Sequence, residues 1–162
     1  MKRVKKNDPV ALAEIGGKHY QEGDYKTALE YLSKAAGLGD TEAHYNLSFM
    51  YDKGHGVAKD TKKEIFHLEE AAIGGHPMAR HNLGCIEWNN GNFERARKHY
   101  IIAANLGDHD SLKSLRKLYA GGNASKEDYA GALRGYQAAM NEAKSSEREY
   151  AEEFIKGGIA EY

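Results

Sequence analysis

The chain has 162 residues, with 23 Lys+Arg against 24 Asp+Glu, a formal net charge of −1. It lacks the basic excess that drives non-specific nucleic-acid binding, and its one cysteine excludes an internal disulfide or a multi-thiolate zinc site. No stretch reaches the roughly 18 consecutive apolar residues of a membrane-spanning helix, and an apolar fraction of 41% is too high for disorder.

Eighteen glycines beside two prolines point to many short turns between short helices. The chain opens on a basic leader, residues 1–7 of MKRVKKNDPV; no apolar core follows it, so it does not read as a secretory signal. Residues 8–39 then form the first of four similar units, the others being about 40–75, 76–107 and 108–143. In unit one, Asp8 precedes a helix anchored on Ile15, and Asp24 precedes a second helix carrying Tyr25, Ala28, Leu32 and Ala35. Offsets of three and four are helical, not the alternation of a strand. Unit two repeats the plan with Asp40, Leu47, Asp60 and the run Thr61, Glu64, Leu68, Ala71. Unit three has His76, Leu83, Asn92 and Phe93, Ala96, Tyr100, Ala103; unit four has Asp108, Leu115, Ser125 and Tyr129, Ala132, Tyr136, Ala139.

The punctuation agrees with this phase. Asp accepts a bond from an unpaired N–H at a helix start, and both Pro9 and Pro77 fall at a first helical residue, where the missing N–H costs nothing. Second helices are expected to end at Gly39, Gly75 and Gly107. Gly16 and Gly84 follow the anchor inside a helix, where a missing side chain lets the paired helix approach. Residues 144–162 read as a C-terminal capping helix and tail. Ser146 and Glu149 have capping-box spacing, and Tyr150, Ala151, Phe154 and Ile155 make a face suited to covering the last unit.

The pattern Leu83-Gly84, Gly91, Phe93, Ala96, Tyr100 and Ala103 resembles the tetratricopeptide repeat. The longer second unit has Tyr45-Asn46-Leu47, Tyr51, then Lys53-Gly54-His55-Gly56-Val57-Ala58-Lys59-Asp60 and Ala71-Ala72. It closely resembles the Sel-one-like (Sel1-like) repeat, and unit four keeps Gly122 and Asp128 of that segment. The resemblance covers about residues 8–140. It implies an all-α fold: a right-handed α-α superhelix, or solenoid, of four helix-turn-helix repeats plus a C-terminal capping helix. It also implies an adaptor or scaffold that binds other proteins on its concave face. Glu64 departs from the pattern, standing where Ala28, Ala96 and Ala132 pack. Burying an unpaired carboxylate is costly, so Glu64 is expected to tilt outward or pair with a base. Ser48 and Arg116 replace the glycine found at Gly16 and Gly84.

A search for chemistry finds no catalytic residue, no metal set and no cofactor site. The eight histidines form no H-E-x-x-H and no zinc-like His/Cys spacing. Gly54-His55-Gly56 follows a helix and lacks the rest of a phosphate loop. Cys85 has no partner base in sequence, and the hydrolytic activity assigned to some cysteine-rich relatives depends on paired cysteines.

The resemblance implies that each unit's first helix lines the concave side, and helical geometry then selects a stripe around each anchor. The candidate partner-binding residues are Tyr45, Asn46 and Phe49 in unit two, His81, Asn82 and Trp88 in unit three, and Lys113 and Lys117 in unit four. The corresponding stripe of unit one, Ala13, Glu14, Gly17 and Tyr20, reads as blander. An asparagine offers one acceptor and two donors to a peptide backbone, aromatic rings anchor interfaces, and Lys113 and Lys117 stand one turn apart. The expected guest is a short segment with an apolar anchor and an acidic end. Tyr45 and Trp88 suit core packing equally well.

The expected partner is therefore a protein or peptide, with neither membrane nor nucleic acid expected, and the chain is expected to be a cytoplasmic monomer. An RNA-binding helical repeat is one alternative, resting on Arg80, Arg95, Arg97 and Lys98. Another, from resemblance alone, is the substrate-recruiting region of a larger RING-type ubiquitin-ligase-like protein. The basic leader leaves a nuclear location open.

Overall fold

A computed structural model of the chain describes residues 7–159, so the basic leader, apart from Asn7, lies outside the described residues. Among the described residues there are eight helices and no strand: α1 (Pro9–Gln21), α2 (Tyr25–Gly37), α3 (Thr41–Lys53), α4 (Thr61–Ile73), α5 (Pro77–Asn89), α6 (Phe93–Asn105), α7 (His109–Ala120) and α8 (Lys126–Ile159). The fold class expected from the repeat is the fold observed, all-α and built of successive helix pairs.

The capping residues act as their chemistry predicts. The Asp8 carboxylate accepts from the Val10 amide at 3.0 Å, Asp40 from Ala43 at 2.7 Å and Asp108 from Ser111 at 2.7 Å. Each such cap contributes about 1 kcal/mol. His76 serves the same office, its Nδ1 accepting from the Ala79 amide at 3.3 Å. That bond uses the Nδ1 lone pair, so the ring proton sits on Nε2 and is donated to Glu42 Oε2 at 3.1 Å. Asn92 differs from its counterparts: it makes no side-chain cap bond, and its amide donates to Glu87 Oε2 at 2.8 Å instead. At the start of α8, Ser125 and Asp128 form a reciprocal capping box, at 2.8 and 3.0 Å.

The chain divides into two compact units at Ile86 and Glu87, within α5. In the first unit α1 packs on α2, α3 on α4, α2 on α3, and α1 reaches α3. One cluster gathers Ala13, Ala28, Leu32, Ala35, Leu47 and Met50, and a second gathers Leu68, Ala71, Ala72, Ala79 and Leu83. Each buried leucine stabilises the fold by about 1.5–3 kcal/mol. Gly16 shows why α1 and α2 come so close: a Cβ there would lie 2.7 Å from Leu32 Cγ. In the second unit α6 packs on α7 and α8, and α7 on α8, burying Ala96, Tyr100, Ala103, Leu112, Leu115, Leu118 and Ala132.

The C-terminal segment is helical, but not as a separate element. α8 runs unbroken for 34 residues, so the helix continues across positions 143 and 144, where the last repeat was expected to give way to the capping helix. Residues 141–146 contain no glycine or proline to stop the helix. Ser146, expected as a cap, instead donates its hydroxyl to the Glu142 carbonyl at 3.2 Å, the i−4 bond of a helix interior. Residues 141–156 are exposed throughout, with Tyr150 at 72% and Phe154 at 74%, so this stretch covers no apolar face among the described residues.

Candidate functional site

Two adjoining hollows mark the first unit. The larger, about 500 Å³, lies between α1 and α3; its α1 wall includes Ala13, Glu14, Gly17 and Tyr20, and Asn46 comes from α3. The smaller, about 220 Å³, is lined by Tyr20, Tyr45, Asn46 and Phe49. Tyr20 and Asn46 therefore line both. Of the candidates named from the sequence, the structure brings Tyr45, Asn46 and Phe49 together around the smaller hollow. It also recruits the whole unit-one stripe that the sequence reading passed over as bland. The signal was present, because those four residues hold the same offsets from Ile15 as the others do from their anchors; their small or common side chains hid it.

The walls are held from behind. Tyr45 stacks on His76, centroids 4.3 Å apart at 19°, and packs against the second cluster of the unit. Phe49 is 41% exposed, with the Lys53 ammonium 5.4 Å from its ring centre. The Tyr20 hydroxyl meets His55 Nδ1 at 2.7 Å, and the His55 ring stacks on Tyr25 at 4.5 Å and 10°. His55 belongs to the longer turn of unit two, which closes with the Asp60 amide donating to the Tyr51 carbonyl at 3.2 Å. Gly56 in that turn has φ 72°, and a Cβ there would come within 2.9 Å of Tyr25 Cβ, so only glycine fits. The four extra residues of this unit thus clasp a groove residue. Burial, and then Tyr25, raise the Tyr20 phenol above its ordinary pKa against an opposing effect of Lys53, so Tyr20 stays a neutral hydroxyl.

The other candidates are placed as follows. His81 and Asn82 are half-buried on α5, and His81 Nε2 lies 3.4 Å from Cys85 Sγ. In the second unit Trp88 meets Phe93 edge-on at 5.7 Å and Tyr100 at 6.4 Å, so its ring takes part in packing the repeat. Lys113 and Lys117 are exposed and line a hollow of about 390 Å³ with Arg116 and Ala120; Lys113 pairs with Asp110 at 3.1 Å. Glu64 is half-buried. Burial chiefly, and then Asp52, raise its carboxyl pKa, while Lys53 lowers it.

One pair of histidines carries no signal in the sequence. His44 Nδ1 and His67 Nδ1 lie 2.9 Å apart between α3 and α4, and His67 stacks on Tyr51 at 5.6 Å and 9°. One ring must donate and the other accept, so at least one is neutral. Burial first, then His44 and Lys63, lower the His67 pKa to about 4. The contact spans 23 positions with no local motif, so no spacing announces it. Among the described residues, no group of three or more His, Cys, Asp or Glu is placed to hold a metal, and no helix is long and apolar enough to cross a membrane.

Comparison with known proteins gives a consistent result. The family model described as Sel1 repeat matches residues 9–40, 41–76 and 77–108, three windows that coincide with the first three helix pairs and stop before α7. A crystal structure of a Sel1 repeat protein from Oxalobacter formigenes superposes with a TM-score of 0.71 at 30% identity, covering 87% of this chain and 61% of that one. HcpC of Helicobacter pylori, provisionally named as a beta-lactamase, is 41% identical over 56 residues, 35% of this chain and 19% of its own length. The rat DAP3-binding cell death enhancer 1 is 24% identical over 181 residues, covering 86% of this chain and 36% of that protein. In each case the chain spans less than two thirds of the relative's length.

Proposed function

Because the chain belongs to the Sel1 repeat family, an all-helical repeat fold, we propose that it is a protein-interaction module that holds a segment of a partner along the first helices of its repeats. The observation that carries this reading is the groove between α1 and α3. It joins a small-residue floor, the amide of Asn46 and an aromatic hollow of Tyr20, Tyr45 and Phe49. Asn46 supplies two donors and an acceptor to a peptide backbone, and the aromatic rings supply the anchor. In this reading His81 and Asn82 add to the candidates of the first unit, and the second unit has its own, Trp88, Lys113 and Lys117. The name of the rat relative records binding to another protein, which is consistent with the proposal. The HcpC likeness covers 56 residues, and we read it as a shared repeat rather than shared catalysis.

Affinity purification with the full chain as bait, followed by mass spectrometry, tests the proposal. A partner retained at moderate salt by the parent chain, and lost by Asn46→Ala/Phe49→Ala, supports it. Losing two hot-spot contacts is expected to cost at least about 2 kcal/mol, a roughly 30-fold weaker Kd. Because both side chains are partly exposed, the melting temperature should stay close to that of the parent. A partner captured equally by the double variant would sink the assignment.

A further inference from the structure

Gly17 stands inside α1, where glycine is about 1 kcal/mol less favourable than alanine. Packing does not explain it: a Cβ there would meet nothing within 4 Å. Its neighbour Gly16 is accounted for by Leu32; Gly17 opens onto the groove beside Ala13. Bare backbone at such a place admits the close approach of another chain. Three carboxylates, Glu14, Asp40 and Glu42, also line this groove, against the single ammonium of Lys18. Two of these acids are fixed in place, Glu42 by the His76 ring at 3.1 Å and Asp40 by the Ala43 amide at 2.7 Å. The acids are gathered at the larger hollow, while the aromatic rings of Tyr45 and Phe49 belong to the smaller one next to it.

From this juxtaposition we infer that the groove takes an extended peptide segment carrying a lysine or arginine beside an apolar residue. Its backbone lies against Gly17 and is held by the Asn46 amide. The cationic side chain sits among Glu14 and Glu42, and the apolar one fills the Tyr45–Phe49 hollow. Charge complementarity selects a basic guest here, the opposite sign from the acidic end expected from Lys113 and Lys117. An α-helix, about 10–12 Å across with its side chains, cannot lie against Gly17 as closely as an extended strand does. The inference rests on the peptide-binding reading above and specifies its ligand.

The test is to pan a phage-displayed random-peptide library on the immobilised full chain. Enriched peptides are then titrated by fluorescence anisotropy against the parent, Gly17→Leu, Glu14→Gln/Glu42→Gln and Asn46→Ala/Phe49→Ala. Enriched peptides should carry Lys or Arg next to an apolar residue. Gly17→Leu, which fills the groove without meeting the α2 core, should weaken binding at least about tenfold. Glu14→Gln/Glu42→Gln should weaken it similarly and flatten its salt dependence. Should circular dichroism show Gly17→Leu misfolded, the glutamate variant decides alone. Peptides without a basic residue, or parent-like binding by both of these variants, overturn the inference; if Asn46→Ala/Phe49→Ala still abolishes binding, the broader reading survives. No enrichment, or binding indifferent to every variant, overturns both.

Discussion

Gly16 and Gly17 are adjacent in α1 and face opposite surroundings. A Cβ at Gly16 collides with Leu32, whereas one at Gly17 enters open space. Thermal melts should therefore move in opposite directions. Gly16→Ala is expected to lose about 1–3 kcal/mol through overpacking, and Gly17→Ala to gain up to about 1 kcal/mol of helix propensity. Equal shifts would refute the packing account. His67 supplies a pH response. Its imidazole ordinarily titrates near 6.5 and is held to about 4 in the fold. Between those values the unfolded chain binds a proton that the folded chain refuses, so stability falls as pH drops through the window and is unaffected by this group above it. The slope from one such proton is at most about 1.4 kcal/mol per pH unit. Urea denaturation across this window should show His67→Gln losing that component; an unchanged slope would clear His67 of the role. Gly16 was readable from sequence because it follows an anchor in phase. The His44–His67 contact was not, because it depends on which turns of α3 and α4 meet.

Among the elements, helix starts were the most legible feature. Asp8, Asp24, Asp40, Asp60 and Asp108 cap helices where the periodicity places them, since one carboxylate and one unpaired N–H suffice to define a start. The role of Ser146 was not legible, because a cap-like serine needs a preceding chain break to act, and here its hydroxyl bonds within the helix. In residues 141–146 the helix-forming Glu142, Ala143 and Lys144 provide none. Since residues 141–156 are exposed, ending the chain after Lys144 should leave the melting temperature nearly unchanged, with helical ellipticity falling by the missing turns. A loss above about 2 kcal/mol would mean that the removed turns support the unit.

For the molecule as a whole, the repeat phase determined most of the architecture, because four in-register units state the same plan and errors in one are corrected by the others. The candidate site was legible where its residues are chemically distinctive, as at Tyr45, Asn46 and Phe49. It was not legible along α1, where Ala13, Glu14 and Gly17 acquire meaning only by standing across from α3. Nor does charge balance disclose it: a net −1 conceals one groove whose charged lining is three acids against one lysine and, in the second unit, a hollow lined by Lys113, Arg116 and Lys117.

Tyr20 faces the groove on one side and holds His55 of the turn on the other. A guest that displaces the Tyr20 ring must stretch or release that bond, and with it the grip on residues 54–60. Lys53 precedes the clasped segment and Lys59 lies within it, so the rate of tryptic cleavage at the turn becomes a label-free gauge of groove occupancy, readable before any guest has been identified.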